Sequence, residues 1–422
     1  MERKYDKIYM CIDLKSFFAS VECADMGLDP FTTNLAVADP SRGNGAICLA
    51  ITPAMKALGI RNRCRVFEIP KGVEYITAMP RMKRYMEVSA DIYEEYLKYI
   101  SPEDIHVYSI DECFIDATPY LKMYNKTPRQ LAVMLMQAVF ERTHICATAG
   151  IGTNLFLAKV ALDVTAKHAP DHIGMLGEQQ FKERIWYHRP LTDIWGIGKR
   201  TEARLNKLGA YNLYDITQLD EKLLYKEFGI NAQLLIDHAH GIEPCTMQEI
   251  HSYTAQSHSI SNGQILFEDY SYDDALTVMK EMVENLVLEL VEKHLVAESI
   301  SLSVGYSKDV KPRTGTSRKL DGFTGSYSKL TQQFERAFAE TTHRDAPIRS
   351  INIALGNVVD EVYSTIDLFT DLAAEEREHN MQQAILEIKQ KYGKNALIRG
   401  MSLREKATGR KRNEMIGGHN GG

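Results

Sequence analysis

The sequence lacks the features that mark membrane and secreted proteins. No run of apolar residues approaches the roughly 18 that a membrane-spanning helix needs. The first seven residues are mostly charged and lead directly into an apolar segment, so we expect no signal peptide. The 422-residue chain also shows no internal repeat and no low-complexity segment. These absences predict a multidomain globular protein with no membrane partner.

Cysteine is scarce, and its spacing suggests no pairing. The chain has seven cysteines, an odd number, and no two of them form a C-x-x-C pair. This pattern argues against a disulfide framework and against a cysteine-rich zinc site. Because the thiols lie mostly in apolar segments, we expect a reducing, cytoplasmic environment.

An excess of positive charge is also absent, since the formal net charge is −6. Taken alone, that value argues mildly against a nucleic-acid-binding protein. The distribution is uneven, however. Residues 305–330 carry six basic and two acidic residues, and residues 389–413 carry nine basic residues and one acidic residue. Local patches rather than net charge govern phosphate binding, so both stretches are candidate DNA surfaces, although most such runs are only solvated faces.

A pair of carboxylates stands within an otherwise apolar run. Asp111 and Glu112 lie in segment 105–115, whose β-branched and aromatic residues are typical of a buried strand. A buried carboxylate is costly unless it is paired or bound to a cation. In a regular strand the two side chains would point to opposite faces, so we expect a turn or bulge here. An exposed hairpin tip with solvated acids is the alternative that this stretch leaves open.

Another carboxylate follows the first predicted strand. Residues 7–13 form an apolar run that ends at Asp13, and a helix is predicted to begin near Ser16. An acid at a strand end, beside the amides of a helix, is a favourable place for a metal ion and phosphates. Asp13 and Asp111 can share a site only if their two strands are neighbours in one sheet.

The segments that follow predict an alternating order of strands and helices. Strands are expected at 45–51 and 148–152, and helices at 53–58, 80–100, 128–143 and 154–161. Lys159, on the last of these helices, is expected to face the acids. The resulting β-α-β-β-α-β order favours a split βαβ, ferredoxin-like sheet.

Residues 191–205 predict two helices joined by the tight turn Gly196-Ile197-Gly198. Glycines let the backbone approach a ligand closely, and the N-terminus of the second helix can bind an anion. This pattern is typical of a helix-hairpin-helix, which contacts a DNA backbone phosphate without reading sequence.

Residues 250–360 predict a smaller α+β domain. Alternating strands are expected at 299–306 and 348–355, with helices at 273–292 and 328–340. A basic loop, 308–319, would follow the first of these strands and face DNA. From residue 360 onward we expect a tail, in which an apolar peptide at 365–369 precedes a charged helix at 371–391, the basic stretch and a disordered end from 416.

Three segments, residues 12–22, 109–112 and 150–159, together resemble the Y-family translesion DNA polymerases. The resemblance covers about residues 5–360 and favours the UmuC-like (ImpB/MucB/SamB) type of Gram-positive bacteria. It implies an α+β multidomain fold with a ferredoxin-like palm, fingers, a helix-hairpin-helix thumb and an α+β little finger. The implied bounds are 1–16 and 78–170 for the palm, 17–77 for the fingers, 171–245 for the thumb, 250–358 for the little finger and 359–422 for the C-terminal tail.

The resemblance implies low-fidelity translesion synthesis in DNA repair and the SOS response, by two-metal nucleotidyl transfer. Asp13, Asp111 and Glu112 would be the catalytic carboxylates and, with the backbone carbonyl of Leu14, would hold two Mg²⁺ ions, for which Mn²⁺ could substitute. Phe18 falls at the position of the steric gate, which excludes ribonucleotides by clash, whereas Phe17 would lie in the core. The residues that bind the incoming dNTP would be Ser16, Phe17, Phe18, Lys56 and Lys159.

The implied partners are primer-template DNA, a sliding clamp and accessory SOS proteins, at the nucleoid. The implied DNA contacts are Gly196, Gly198, Lys199, Lys308, Lys311, Arg313, Arg318, Lys319 and Arg349. The clamp-binding peptide would use Ile366, Leu368 and Phe369.

The sequence departs from the family pattern at three positions. Lys15 stands where many relatives have an acid, so the site has one negative charge fewer. Pro53 replaces a phosphate-contacting tyrosine of some relatives, which leaves more of the phosphate binding to Lys56. Thr365 replaces the glutamine of the clamp peptide. Two other functions stay open. A nucleotidyl cyclase can use a similar sheet and two acids, and a non-catalytic DNA-binding relative would lack an acid.

Overall fold

The computed structural model of the protein describes residues 7–255, 258–308, 310–365 and 371–421, with only the backbone for His168. The described residues up to Tyr253 form one compact unit, and those from Thr254 to Gly421 form a second. No helix in these ranges has the length and hydropathy that crossing a membrane would require. All seven cysteines have free thiols, as their spacing predicts.

The elements of the first unit follow one another in mixed order. Its strands are β1 (Tyr9–Leu14), β2 (Leu35–Val37), β3 (Ala50–Ile51), β4 (Ile76–Ala78), β5 (Ile105–Val107), β6 (Glu112–Asp116), β7 (Ala147–Gly152) and β8 (Ile173–Leu176). Its α-helices are α1 (Phe17–Asp25), α2 (Pro53–Ala57), α3 (Met82–Leu97), α4 (Thr118–Met123), α5 (Pro128–Thr143), α6 (Leu155–Val160), α7 (Glu178–Arg184), α8 (Lys199–Lys207), α9 (Leu213–Thr217), α10 (Glu221–Phe228), α11 (Asn231–Ala239) and α12 (Met247–Ser252). A π-helical turn, Ala161–Thr165, continues α6.

The main sheet of this unit has the order β5-β6-β1-β7-β8, with β1 at its centre. β1 runs antiparallel to both neighbours, and β7 is parallel to β8. Met10 and Ile12 point into the core that includes residues of α3 and α5, whereas Tyr9 and Cys11 pack on the opposite face with residues of α6. Because side chains alternate along a strand, Asp13 lies on the same face as Cys11.

Close packing of α6 on β7 depends on two glycines. A Cβ atom at Gly150 or Gly152 would collide with the backbone of Ala158. The glycines therefore let α6 approach the sheet closely enough for its side chains to reach the end of β1.

Most of the predicted elements of this unit are confirmed, and two are wrong. The strand expected at 45–51 is confined to β3, because Pro40–Gly45 forms 3₁₀ turns and Ile47 makes only an isolated bridge to Arg65. The first helix of the predicted hairpin is a single 3₁₀ turn, Leu191–Asp193. Pro190 precedes this turn and Ile194 is already extended, which leaves room for one turn only. The finer boundaries of palm, fingers and thumb stay predictions.

The second unit is a sheet with helices on one face. Its strands are β9 (Ser259–Tyr270), β10 (Leu295–Tyr306), β11 (Thr314–Thr324), β12 (Ile348–Asp360), β13 (Met415–Ile416) and β14 (His419–Asn420). Its α-helices are α13 (Tyr272–Glu292), α14 (Tyr327–Thr341), α15 (Leu372–Tyr392) and α16 (Gly409–Asn413). The antiparallel order is β11-β10-β12-β9, and apolar residues of α13 and α14 share one core with alternate residues of the strands.

The expected tail is wrong for residues 371–421, which belong to the second unit. α15 packs against α13, and Lys389 and Arg399 both reach Glu284 on α13, at 3.4 and 3.2 Å. The end expected to be disordered forms the β13–β14 hairpin. Three residues of the basic stretch, Lys389, Arg399 and Lys406, thus pair with acids that lie more than a hundred positions earlier in the chain, a pairing that local composition does not reveal.

The basic segment 308–319 is also shorter as a loop than expected, because β11 begins at Thr314. Its second half therefore follows strand alternation, and successive side chains point to opposite faces of the sheet.

Candidate active site

The two acidic segments meet across the central strand pair. Asp13 on β1 lies directly opposite Glu112 on β6. The amide of Leu14 donates to the carbonyl oxygen of Asp111 at 2.9 Å. The requirement that the strands of Asp13 and Asp111 be neighbours is therefore met.

Asp111 and Glu112 lie at the turn that the sequence predicts. The loop 108–111 joins β5 to β6, and its Tyr108 and Ser109 amides donate to the carbonyl of Glu112 at 2.9 and 3.0 Å. The Ser109 hydroxyl donates to Asp111 Oδ1 at 2.7 Å, so it orients the carboxylate. The Ser89 hydroxyl of α3 donates to the Ile110 carbonyl at 2.6 Å and so anchors the loop to this helix. A freely solvated hairpin tip is excluded, because both acids are half-buried.

Negative charge is concentrated around Asp13. Burial raises the pKa of Asp13 to about 7; the ammonium of Lys167 opposes the shift, whereas the carboxylates of Asp111 and Glu112 add to it. The carboxylates of Asp111 and Glu112 thus disfavour the ionised form of Asp13, and a bound cation would relieve that repulsion.

The donors fit a divalent cation in part. Neither Asp13 nor Asp111 forms an ion pair with another described residue, and carboxylate oxygens are the ligands that Mg²⁺ and Mn²⁺ prefer. Glu112 is engaged otherwise, because its Oε1 lies 2.6 Å from Lys159 Nζ and accepts from Cys11 Sγ at 2.9 Å. Among the described residues, no three carboxylate, histidine or cysteine side chains lie together as a ready cation site.

Lys159 faces the acids, as expected, but as an ion-pair partner. Its ammonium is buried between Glu112 and Asp163, which lies at 3.1 Å. Burial lowers the pKa of Lys159, but Cys11, Asp163 and Glu112 together outweigh burial and raise it. These contacts leave little of the ammonium for a phosphate.

Lys167 is a site residue that the sequence analysis missed. Its Nζ donates to Asp163 Oδ1 at 2.7 Å, and its charge is the largest opposing influence on the Asp13 carboxyl after burial. Lys167 follows the π-helical turn. Because helical periodicity read from sequence assumes α-helical geometry, it does not place Lys167 near β1.

The N-terminus of α1 and one turn of α2 border the same acids. Ser16, which precedes α1, has a left-handed backbone (φ 52°), and its buried hydroxyl has no hydrogen-bond partner among the described residues. Lys56 lies in the last turn of α2; burial lowers its pKa, and the charge of Asp13 acts in the opposite sense. Ser16 thus follows Asp13 closely in the chain, and Lys56 is near enough to Asp13 for the two charges to interact; their binding of dNTP stays a prediction.

The two phenylalanines of α1 have different surroundings. Phe17 is buried, which confirms its predicted core position. Phe18 is only partly buried and stacks on the ring of Tyr85 in α3. Lys15, the departure from the family pattern, contacts His172 at 3.0 Å and the Phe31 ring.

The predicted DNA contacts of the first unit surround the turn before α8. Gly196 has a φ of 85°, and Gly198 is the N-cap of α8. A Cβ atom at either glycine would meet nothing within 4 Å, so the backbone here is open to a ligand, and Lys199 beside it is exposed.

In the second unit the predicted DNA contacts divide between the two sheet faces. Lys311, Arg313 and Arg349 line one groove on the face without helices, together with Ser350 and Asn352.

Three further basic residues of this set lie outside the groove. Lys319 points to the same open face but pairs with Glu298 at 3.0 Å, and Lys308 is exposed. Arg318 lies on the helix side, where it pairs with Glu340 of α14, so it does not share the open face with the others, and its contact with DNA stays a prediction. The predicted clamp residues Ile366, Leu368 and Phe369 lie outside the described residues.

Comparisons with known proteins agree with this geometry. Profiles of the impB/mucB/samB family match residues 12–163, its HHH motif matches residues 182–210, and its C-terminal domain matches residues 257–368. UvrX of Bacillus subtilis (strain 168), which carries the name of a UV-damage repair protein, is 31% identical, and the match covers 98% of this chain and 97% of UvrX.

DNA polymerase IV 2 of the same organism is 30% identical over 98% of this chain and 99% of its own. A solved Y-family DNA polymerase chimera, Dbh-Dpo4(243-245)-Dbh, shares the fold with a TM-score of 0.64 and 22% identity, covering 84% of this chain and 99% of that one. Together these matches span the palm-type sheet, the hairpin and the second unit. The chain therefore belongs to the impB/mucB/samB family, the UmuC-like branch of the Y-family DNA polymerases.

Proposed function

We propose that this protein is a template-directed DNA polymerase that performs low-fidelity translesion synthesis in DNA repair. The observation that carries the proposal is that Asp13, near the end of β1, and Asp111, in the loop immediately before the adjacent strand β6, lie together beside the N-terminus of α1. Family membership favours a polymerase over the nucleotidyl cyclase that two acids alone left open. The presence of Asp13, Asp111 and Glu112 speaks against a non-catalytic relative.

Each residue of the site has a role in nucleotide addition. Asp13 and Asp111, with the Leu14 carbonyl, would hold two Mg²⁺ ions, which supply charge neutralisation for the attacking hydroxyl and the leaving pyrophosphate. Glu112 completes the acidic group and fixes Lys159 behind it. Backbone amides of residues 16–18 bind triphosphate oxygens, because amides at a helix N-terminus favour anions.

Two lysines supply the remaining positive charge. Lys56 and Lys167 both act electrostatically on Asp13, so both ammonium groups can meet a triphosphate bound there. Phe18 would stand under the sugar and exclude a 2′-hydroxyl by steric clash. Lys159 has a weaker claim to a phosphate, because two carboxylates already bind it.

DNA binding is proposed for two surfaces. The Gly196–Lys199 turn presents open backbone to a phosphate, and the groove of Lys311, Arg313 and Arg349 presents three cations. Contacts of amides and cations to backbone phosphates carry no sequence information, which suits an enzyme that must accept damaged templates.

The partners named by the resemblance are part of the proposal. Primer-template DNA is the substrate, Ile366, Leu368 and Phe369 would bind a sliding clamp, and accessory SOS proteins would act with the polymerase at the nucleoid in the cytoplasm. The clamp peptide is supported by its Leu-Phe pair and its position in sequence after β12.

Primer extension with Mg²⁺ and purified protein tests the function. Wild type should extend a primer according to the template, and Asp111→Ala should abolish extension. Asp345→Ala, an exposed acid of the second unit, is the matched control and should extend normally. Extension by the Asp111 variant, or none by wild type, would refute the proposal.

A further inference from the structure

A single carboxylate joins the two lysines of the site. Asp163 lies in the π-helical turn that continues α6, four positions after Lys159 and four before Lys167. Its Oδ2 is 3.1 Å from Lys159 Nζ, and its Oδ1 accepts from Lys167 Nζ at 2.7 Å. π-Helical turns are rare and occur frequently at functional sites.

The contacts continue on either side of Asp163 as a row of alternating charges. Lys159 binds Glu112 at 2.6 Å, on the strand opposite Asp13. Lys167 lies at the other end and acts on the Asp13 carboxyl. One side chain therefore connects the acids of the sheet with the cation that faces them.

The two lysines differ in access to solvent. The Lys159 side chain is 9% exposed, whereas that of Lys167 is 45% exposed. An i,i+4 pair with an exposed lysine contributes little to stability, so stability alone does not explain the position of the Lys167 charge close to the acids. Lys167 is available to a ligand, and Asp163 limits where its flexible side chain can go.

We infer that Asp163 is a positioning residue for nucleotide addition, whose carboxylate holds the Lys167 ammonium beside Asp13 to receive the triphosphate of the incoming nucleotide. The same carboxylate keeps Lys159 against Glu112. This inference rests on the proposed polymerase function. It adds a residue that touches neither metal nor substrate and acts through Lys167.

Removal of the Asp163 charge should weaken the binding of dNTP more than it slows the chemical step. Without the charge of Asp163, Lys167 would sample many rotamers, and ordering it on the triphosphate would cost more conformational entropy. Asp163→Asn keeps the shape of the side chain and removes its charge. We expect the KM for dNTP to rise about tenfold, with a smaller fall in kcat, which is the pattern of lost substrate binding.

Steady-state primer extension over a range of dNTP concentrations measures KM and kcat separately. Lys167→Ala should raise KM similarly, and the double variant should be little worse than Lys167→Ala alone, because both changes remove one interaction. Asp163→Glu, which keeps the charge, should recover part of the loss. Asp171→Asn, which breaks the surface pair with Arg129, is the control and should leave KM unchanged.

A second readout does not depend on turnover. Equilibrium binding of dNTP is measured with a dideoxy-terminated primer-template and Ca²⁺ in place of Mg²⁺, together with the affinity for primer-template alone. Asp163→Asn should weaken dNTP binding and leave DNA binding unchanged.

The outcomes separate the two proposals. Two results would overturn the positioning role of Asp163: an Asp163→Asn variant with full dNTP affinity, or a double variant whose KM increase is the product of the two single increases. Primer extension by wild type would still support the polymerase function in either case. No extension by wild type would refute the polymerase itself. Should Asp163→Asn fold poorly in thermal unfolding, Lys167→Ala and Asp163→Glu decide the question, and an unchanged KM in both would reject the inference.

Discussion

Phe18 stacks on Tyr85, with ring centroids 4.5 Å apart and planes inclined by 18°. Tyr85 is buried and donates its hydroxyl hydrogen to Glu22 Oε1 at 2.6 Å. Arg81 binds both oxygens of Glu22, at 3.0 and 2.8 Å. The partly buried ring of Phe18 on α1 is therefore supported by the buried ring of Tyr85 on α3, whose hydroxyl is held by a carboxylate in a bidentate ion pair.

Replacing Phe18 by alanine should raise the incorporation of ribonucleotides. A rigid ring excludes a 2′-hydroxyl only if it cannot move away, and the stack on Tyr85 limits that movement. Competition between dNTP and rNTP in primer extension measures sugar selectivity. Phe140→Ala, on the exposed side of α5, is the control. Unchanged selectivity in Phe18→Ala would reject the steric gate.

The pH dependence of stability should report the ion pairs next to this support. The hydrogen bond from Arg84 is the largest effect on the pKa of Asp25 and lowers it. Burial opposes this shift, and Arg81 lowers the pKa further. A depressed pKa means that the stabilisation is present above the unfolded pKa and disappears as pH falls through the folded value. Asp25→Asn should therefore destabilise the protein at neutral pH by only about 1 kcal/mol, because exposed pairs are screened by solvent.

Urea unfolding at neutral pH and near pH 3 checks this expectation. The difference between wild type and Asp25→Asn should shrink at the lower pH. If wild type and Asp25→Asn differ equally in free energy of unfolding at both pH values, the charge of Asp25 does not stabilise the protein. Asp91→Asn, 4.0 Å from Arg142 on α5, is a control with a longer and weaker pair.

Affinity for primer-template should depend on one face of the second unit. Arg313→Ala and Arg349→Ala remove cations from the groove of the open face, whereas Arg318→Ala removes one from the helix face. Each groove variant should weaken binding regardless of sequence and reduce the slope of log affinity against log salt by about one. Arg318→Ala should change neither quantity appreciably. Equal losses from all three would indicate a general charge effect instead.

Glu284 should be important for the stability of the second unit. It is buried on α13 and meets Lys389 and Arg399 of the C-terminal segment. Glu284→Gln would leave two cations short of a partner, which costs on the order of 3 kcal/mol for a buried pair. Urea unfolding measures the loss, and Glu340→Gln on the exposed side of α14 is the control. A variant as stable as wild type would show that the C-terminal segment adds little.

The sequence predicted the site well where local rules suffice. Strand composition, the acid at the end of β1 and the need for a turn at Asp111 follow from periodicity and from the cost of burying charge. The two helices of the second unit that cover its sheet were also evident from their spacing.

The sequence predicted less about charged residues whose surroundings depend on contacts between distant parts of the chain. Lys159 and Lys167 are eight positions apart in the chain, and only the structure shows that the first is buried between two carboxylates and that the second stays accessible. Arg318 and Lys319 are adjacent in sequence, yet the start of β11 sends them to opposite faces.

The sequence by itself determined the family, the three acids and the order of the elements, because these depend on residue type and short-range spacing. The tertiary structure decided which charge faces which. Glu284 and the basic residues that bind it are more than a hundred positions apart, and Lys159 reaches Glu112 only after α6 packs on β7. Such pairings depend on chain geometry in three dimensions, and periodicity carries no information about them.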